Sequence, residues 1–192
     1  MKIAECRFLL NTALNATRVA SPPKTILGRT GETEREMILA YLSDGTTFFV
    51  SDDPVNALAS FYYAFGWLHC GNAHGTLVTE MGTAPCPFIS PSERLPQNHG
   101  EKLSEKAGRY ERLLNTARSS VACAPEPSTY PYELAEGVLR IAETYEIRGR
   151  WLLRVSRTED ALAAFSYGHG WLDAAVRAGL FTITGERDIF TV

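Results

Sequence analysis

Shifting the chain against itself by 104 residues brings two copies of one unit into register, and this repeat limits the fold more than any composition figure. Leu9-Leu10-Asn11-Thr12-Ala13 falls on Leu113-Leu114-Asn115-Thr116-Ala117. Ala57-Leu58-Ala59 falls on Ala161-Leu162-Ala163, Phe61 on Phe165, Tyr63 on Tyr167, and Gly66-Trp67-Leu68 on Gly170-Trp171-Leu172. Tyr41 with Tyr145, Gly45 with Gly149 and Gly75 with Gly179 complete the frame without a gap. Whatever one half folds into, the other must also adopt. The division expected is 1–77 for copy one, 78–100 for a linker rich in proline (Pro85, Pro87, Pro91, Pro96), and 101–192 for copy two. Each half has about 95 residues, enough for a modest core of its own.

Each copy reads as three helices. In the first, Ile3, Cys6, Leu9, Leu10, Ala13 and Leu14 recur at spacings of three and four, as do Leu103, Tyr110, Leu113, Leu114, Ala117 and Val121. Thr33 and Glu36 have capping-box spacing and predict the start of the second helix in copy one; in copy two Pro131 suits a first turn. Asp53-Pro54 predicts the start of the third helix, and Ser156 with Glu159 predicts its counterpart. Short connections imply antiparallel neighbours, so the expected fold is all-α, tandem three-helix up-down bundles. The alternation of Phe181 and Ile183 with Thr182 and Thr184, then Gly185–Asp188 and Ile189–Val192, marks a candidate C-terminal β-hairpin, lying on a bundle or extending a strand at Leu77–Thr79. The paired copies are expected to pack about a pseudo-twofold axis within a monomer, or the chain to form a homo-oligomer.

A formal net charge of -3 and a pI near 5.8 argue against a general electrostatic grip on nucleic acid. No apolar run reaches the roughly 18 residues of a membrane span, so no membrane is expected, and the default location is the cytoplasm. Cys6, Cys70, Cys86 and Cys123 form no CxxC pair, so neither a zinc ribbon nor a disulfide framework is indicated.

The stretch Ala40-Tyr41, Asp44-Gly45, Phe48 and Asn56–Leu68, and again Asp160–Phe165, Tyr167, Gly170–Asp173 and Gly179-Leu180-Phe181, resembles an archaeal family known as domain of unknown function 357. The combination ALAxF, Tyr and Gly-Trp-Leu carries the resemblance. Copy two departs where Arg148, Arg150 and Arg154 replace Asp44, Thr46 and Val50; copy one departs at His69, where Asp173 stands in copy two. The resemblance implies a compact helical bundle and an archaeal cytoplasmic protein. It carries no activity.

Candidate chemistry centres on the third helices. A glycine inside a helix costs about 1 kcal/mol relative to alanine. Gly66 and Gly170 therefore signal close helix packing, or a slot for a planar ligand lined by Tyr63, Gly66, Trp67, Tyr167, Gly170 and Trp171 with His169 and Asp173. Ser166, His169 and Asp173 share one helical face in the order of a hydrolytic triad, but no nucleophile elbow accompanies them, and a buried His169 held by Asp173 is the plainer expectation. His69, Cys70 and His74, with Cys86, lack regular zinc spacing. Arg94 and His99 match a crude ribonuclease spacing interrupted by Pro96. Arg140, Arg148, Arg150, Arg154 and Arg157 suggest a solvated basic face, with RNA as the alternative. No phosphate loop or cofactor motif is present and no cofactor is implied. The function expected is a non-catalytic scaffold or protein-interaction module, with an RNA-associated protein or a small-ligand-binding bundle as alternatives.

Overall fold

A computed structural model describes residues 2–80 and 93–191. Copy one runs α1 (Ile3–Asn15), β1 (Thr17–Val19), α2 (Ile26–Val50), α3 (Pro54–Ala73) and β2 (Leu77–Thr79). Copy two runs α4 (Gly100–Ser119), β3 (Val121–Cys123), α5 (Tyr130–Arg154), α6 (Thr158–Arg177) and β4 (Phe181–Ile183). A 3-10 turn at Gln97–His99 leads into α4. Apart from the start of α4, every boundary in copy two is its copy-one equivalent plus 104 residues. The protein is essentially all-α, and the repeat read in the sequence is a repeat of structure.

Burial sorts the six helices into two roles. Along α3 almost every residue from Val55 to Leu68 is buried, and along α6 every residue from Glu159 to Val176. A helix apolar on all sides belongs inside a core. The remaining helices bury one stripe each, such as Ile3, Cys6, Leu10, Ala13 and Leu14 of α1. α3 and α6 share the most extensive helix contact in the molecule, so the two copies enclose one common core.

Both central helices stop in the same way. Gly75 and Gly179, each at φ 80°, occupy the left-handed position that glycine adopts without strain. The next amides, of Thr76 and Leu180, donate back to the carbonyls of Gly71 and Ala175 at 3.1 and 3.0 Å. The chain then enters β2 or β4. β2 pairs antiparallel with β1 (Thr17 opposite Thr79, Val19 opposite Leu77), and β4 with β3 (Val121 opposite Ile183, Cys123 opposite Phe181).

Three local expectations are corrected. α2 starts at Ile26 rather than near Thr33. Its cap is Thr25, whose Oγ1 accepts the Gly28 amide at 2.9 Å, while Thr33 Oγ1 donates to the Arg29 carbonyl. α6 starts at Thr158 without a capping box; Glu159 instead receives the Leu95 amide and Arg94. The C-terminal two-stranded unit exists, and its β4 is Phe181–Ile183, but the partner strand is Val121–Cys123 rather than 189–192. Val192 lies outside the described residues. The tail folds back on α6: Phe190 is buried, and the Thr191 amide and Oγ1 both donate to Asp173.

Candidate functional site

The aromatic and glycine positions singled out above meet where α3 crosses α6. A Cβ on Gly66 would lie 2.5 Å from the Tyr167 carbonyl oxygen, and one on Gly170 would lie 2.3 Å from the Tyr63 carbonyl oxygen. The space beside each glycine is taken by the other copy's backbone. This reciprocal contact places the pseudo-twofold axis between Gly66 and Gly170.

Around the axis the rings repeat. Tyr41 with Tyr63 and Tyr145 with Tyr167 both have centroids 4.4 Å apart; Tyr63 with Trp67 and Tyr167 with Trp171 are both at 6.4 Å. The polar partners differ. Tyr63 donates its hydroxyl to Asp173, whereas Tyr167 meets His69 Nδ1 at 2.9 Å. Burial, reinforced by the Asp173 charge, holds the Tyr63 phenol well above its usual pKa, and burial also raises Tyr167. Both are hydrogen-bonding groups at neutral pH and not bases.

Ser166, His169 and Asp173 do not assemble a relay. Ser166 Oγ and His169 Nε2 are buried without hydrogen-bond partners, and Asp173 is taken by Tyr63 and Thr191. Burial lowers the His169 pKa against the opposing pull of Asp173 and the Ile189 carbonyl, so the ring is neutral near pH 7. His169 is buried in the core, but the expected hold by Asp173 is corrected: Asp173 serves Tyr63 and Thr191, and the ring meets the Ile189 carbonyl of the tail.

The remaining sequence candidates separate. His69 points to Tyr167 and His74 to Glu34, while burial pushes the Cys70 thiol far above its usual pKa; Cys86 lies outside the described residues. Among the described residues, no three His, Cys, Asp or Glu side chains come together as a metal site. Arg94 bonds Glu159 and Asp160 at 3.1 and 3.2 Å rather than half-buried His99. Of the copy-two arginines, Arg150 bridges Glu111 and Glu146, Arg157 bonds Asp160, Arg140 approaches Glu136, and Arg148 lies over the Tyr145 ring.

A feature that no motif announced lies at one end of the pseudo-twofold axis. Ala73 lies on the wall of a cleft of ≈ 480 Å³ whose other copy-one residues are Ile26, Leu27, Thr30, His74 and Thr76. Facing them are Tyr130, Pro131, Leu134, Ala178 and Leu180, the same five positions of copy two, each 104 residues on. The rim stands in water: Ile26 is 78% exposed, Leu27 57% and Tyr130 87%. At its base the His74 side chain is only 6% exposed, its Nε2 lying 2.8 Å from Oε1 of fully buried Glu34, which also receives the Thr76 hydroxyl. Copy two has Val138, Ala178 and Leu180 at these three places. The polar base therefore belongs to one side alone.

A second depression, of ≈ 300 Å³, shares Ile26 and Thr30 with the cleft and adds Arg29, Thr33 and Arg177. Neither arginine has an ion-pair partner among the described residues. Their pseudo-symmetric positions hold Glu133 and Ala73. The sequence signal for the cleft was modest: two apolar residues, Ile26 and Leu27, directly after a capping threonine, where no core stripe requires them.

A family model described as protein of unknown function (DUF357) matches residues 7–77 and, separately, 109–181. No curated protein and no solved structure matches the chain.

Proposed function

The chain belongs to the DUF357 family, carrying its unit twice, and from that premise we propose that it acts by binding rather than catalysis, as a helical interaction module that receives its partner in the cleft between the copies. The observation that carries this reading is the cleft itself. It is built from equivalent positions across the pseudo-twofold axis and rimmed by large apolar side chains exposed to water. Contiguous exposed apolar surface of this kind marks interaction sites. On this reading the aromatic seam at Tyr63, Gly66, Trp67, Tyr167, Gly170, Trp171, His169 and Asp173 sets the angle between the copies and so the shape of the cleft. The division at 78–100 then separates halves of one binding unit. Arg140, Arg148, Arg150 and Arg157 are engaged within the chain, which weighs against an RNA grip on that face.

Affinity capture from the native host, comparing wild type with Leu134→Arg, tests the proposal. Wild type should enrich a component that the blocked variant loses while melting at a similar temperature. Identical captured sets from the two would refute it.

A further inference from the structure

The cleft identifies the kind of partner it fits. We propose that its occupant is an amphipathic helical segment of another protein, carrying an acidic residue beside its apolar face. This rests on the cleft being the binding site.

Three observations lead there. First, Ile26 and Tyr130 project from the rim. A small molecule held inside would leave them in water, whereas a segment laid across both copies covers them.

Second, the main chain that lines the cleft, at Thr76 and Leu180, is already paired. The Thr76 carbonyl already accepts from Ala20 and the Leu180 carbonyl from Ala124, and both amides donate to their own helices. Strand addition needs unpaired main-chain groups, while a helix lying in a groove needs only apolar walls; Leu27, Pro131, Leu134, Ala178 and Leu180 supply them.

Third, the charge is one-sided. Arg29 and Arg177 flank the depression that continues from Ile26 and Thr30, and neither has an ion-pair partner among the described residues. Glu34, at the base of the cleft, is turned inward onto His74 and Thr76, and exposed Glu133 stands on the opposite side, at the place Arg29 holds in copy one. A carboxylate on the incoming helix would find two guanidinium groups there.

Selection of displayed random peptides of about 16 residues, four to five helical turns, against the full chain tests this. Enriched sequences should share apolar residues at i, i+3 or i+4, and i+7 with Asp or Glu at a fixed offset. Fluorescence polarisation with one such labelled peptide should show binding that weakens with added salt and falls about tenfold or more in Arg29→Glu/Arg177→Glu. Exchanging the peptide's acid for Lys should restore affinity to that variant. Both arginines are exposed, and thermal melting checks that the variant folds. Binding lost in Leu134→Arg but unaffected by charge reversal overturns the acidic helix and leaves the cleft reading standing. Peptides that bind Leu134→Arg as well as wild type overturn both. If no peptide is enriched while the anionic dye 1-anilinonaphthalene-8-sulfonate binds wild type and not Leu134→Arg, the occupant is a small amphipath and the peptide inference fails.

Discussion

At the scale of single residues, His169 makes a pH-dependent prediction. Its pKa in the fold lies below the ordinary 6.5, chiefly through burial. The unfolded chain therefore binds the proton more readily. Nothing is lost above pH 6.5; as pH falls below it, stability declines until the folded-state pKa is reached, with a slope of up to about 1.4 kcal/mol per unit. His169→Phe, which installs the residue found at Phe65, should flatten that slope between pH 6.5 and 5 in urea unfolding. An unchanged slope would mean that other groups carry it. The glycines at the crossing make a second prediction. Gly66→Ala meets backbone of the opposite copy, and backbone cannot swing aside, so a loss of about 1 to 3 kcal/mol is expected. Gly66→Ala with Gly170→Ala should cost less than the sum, because helices already forced apart accept the second methyl. Full additivity would argue that the two glycines pack independently.

Among the elements, the outer seams show how far the copies have diverged. In copy two, buried Glu146 pairs with Arg118, joins Arg150 at 2.7 Å and accepts from Asn115 at 3.1 Å, sealing α4 to α5. Copy one has Leu42 and Thr46 in place of Glu146 and Arg150, and there Arg7, Phe8, Asn11, Leu42 and Thr46 line an open groove of ≈ 350 Å³. Glu146→Ala should destabilise by about 1 to 3 kcal/mol, since Arg118 and Arg150 lose their buried partner and keep only Glu143 and Glu111 at the surface. Glu146→Leu with Arg150→Thr, transplanting the copy-one pair, should recover much of that loss on thermal melting. Failure to recover would place the cost in shape rather than charge. The elements legible in the sequence were those specified locally. α3 and α6 announced themselves through ALAxF and Gly-Trp-Leu, and Asp53 caps α3 as read. The first turns of α2 escaped because Gly28 and Gly31 argue against a helix, yet a Cβ at Gly28 would lie 2.0 Å from the Pro22 carbonyl oxygen. β1 and β3 escaped because three residues are stable only through partners about 60 positions away. Beyond the apolar pair Ile26-Leu27, the cleft escaped for the same reason: its walls come from both copies and meet only once α3 and α6 have crossed.

For the whole molecule, the shared core predicts that neither half is an independent domain. Fragments 1–80 and 93–192 each contain a helix buried on nearly every side, whose most extensive contact is with the other fragment's helix. Expressed alone, each should precipitate or pair with itself; mixed, they should give a one-to-one complex with a cooperative melt. A monomeric 1–80 with its own sharp transition would overturn this. Self-pairing carries a penalty that shows what fusion makes available. Two copies of the second half would place two buried Tyr–Asp173 pairs on one axis, and two of the first would place two Tyr–His69 pairs there. Only the joined chain has one of each. The same inequality reaches the cleft, where Arg29 and Arg177 have Glu133 and Ala73 as their counterparts across the axis. A groove with true twofold symmetry admits a ligand equally well in either direction. This one distinguishes head from tail, so whatever lies in it is held with a defined polarity and can be presented to a third component from one side.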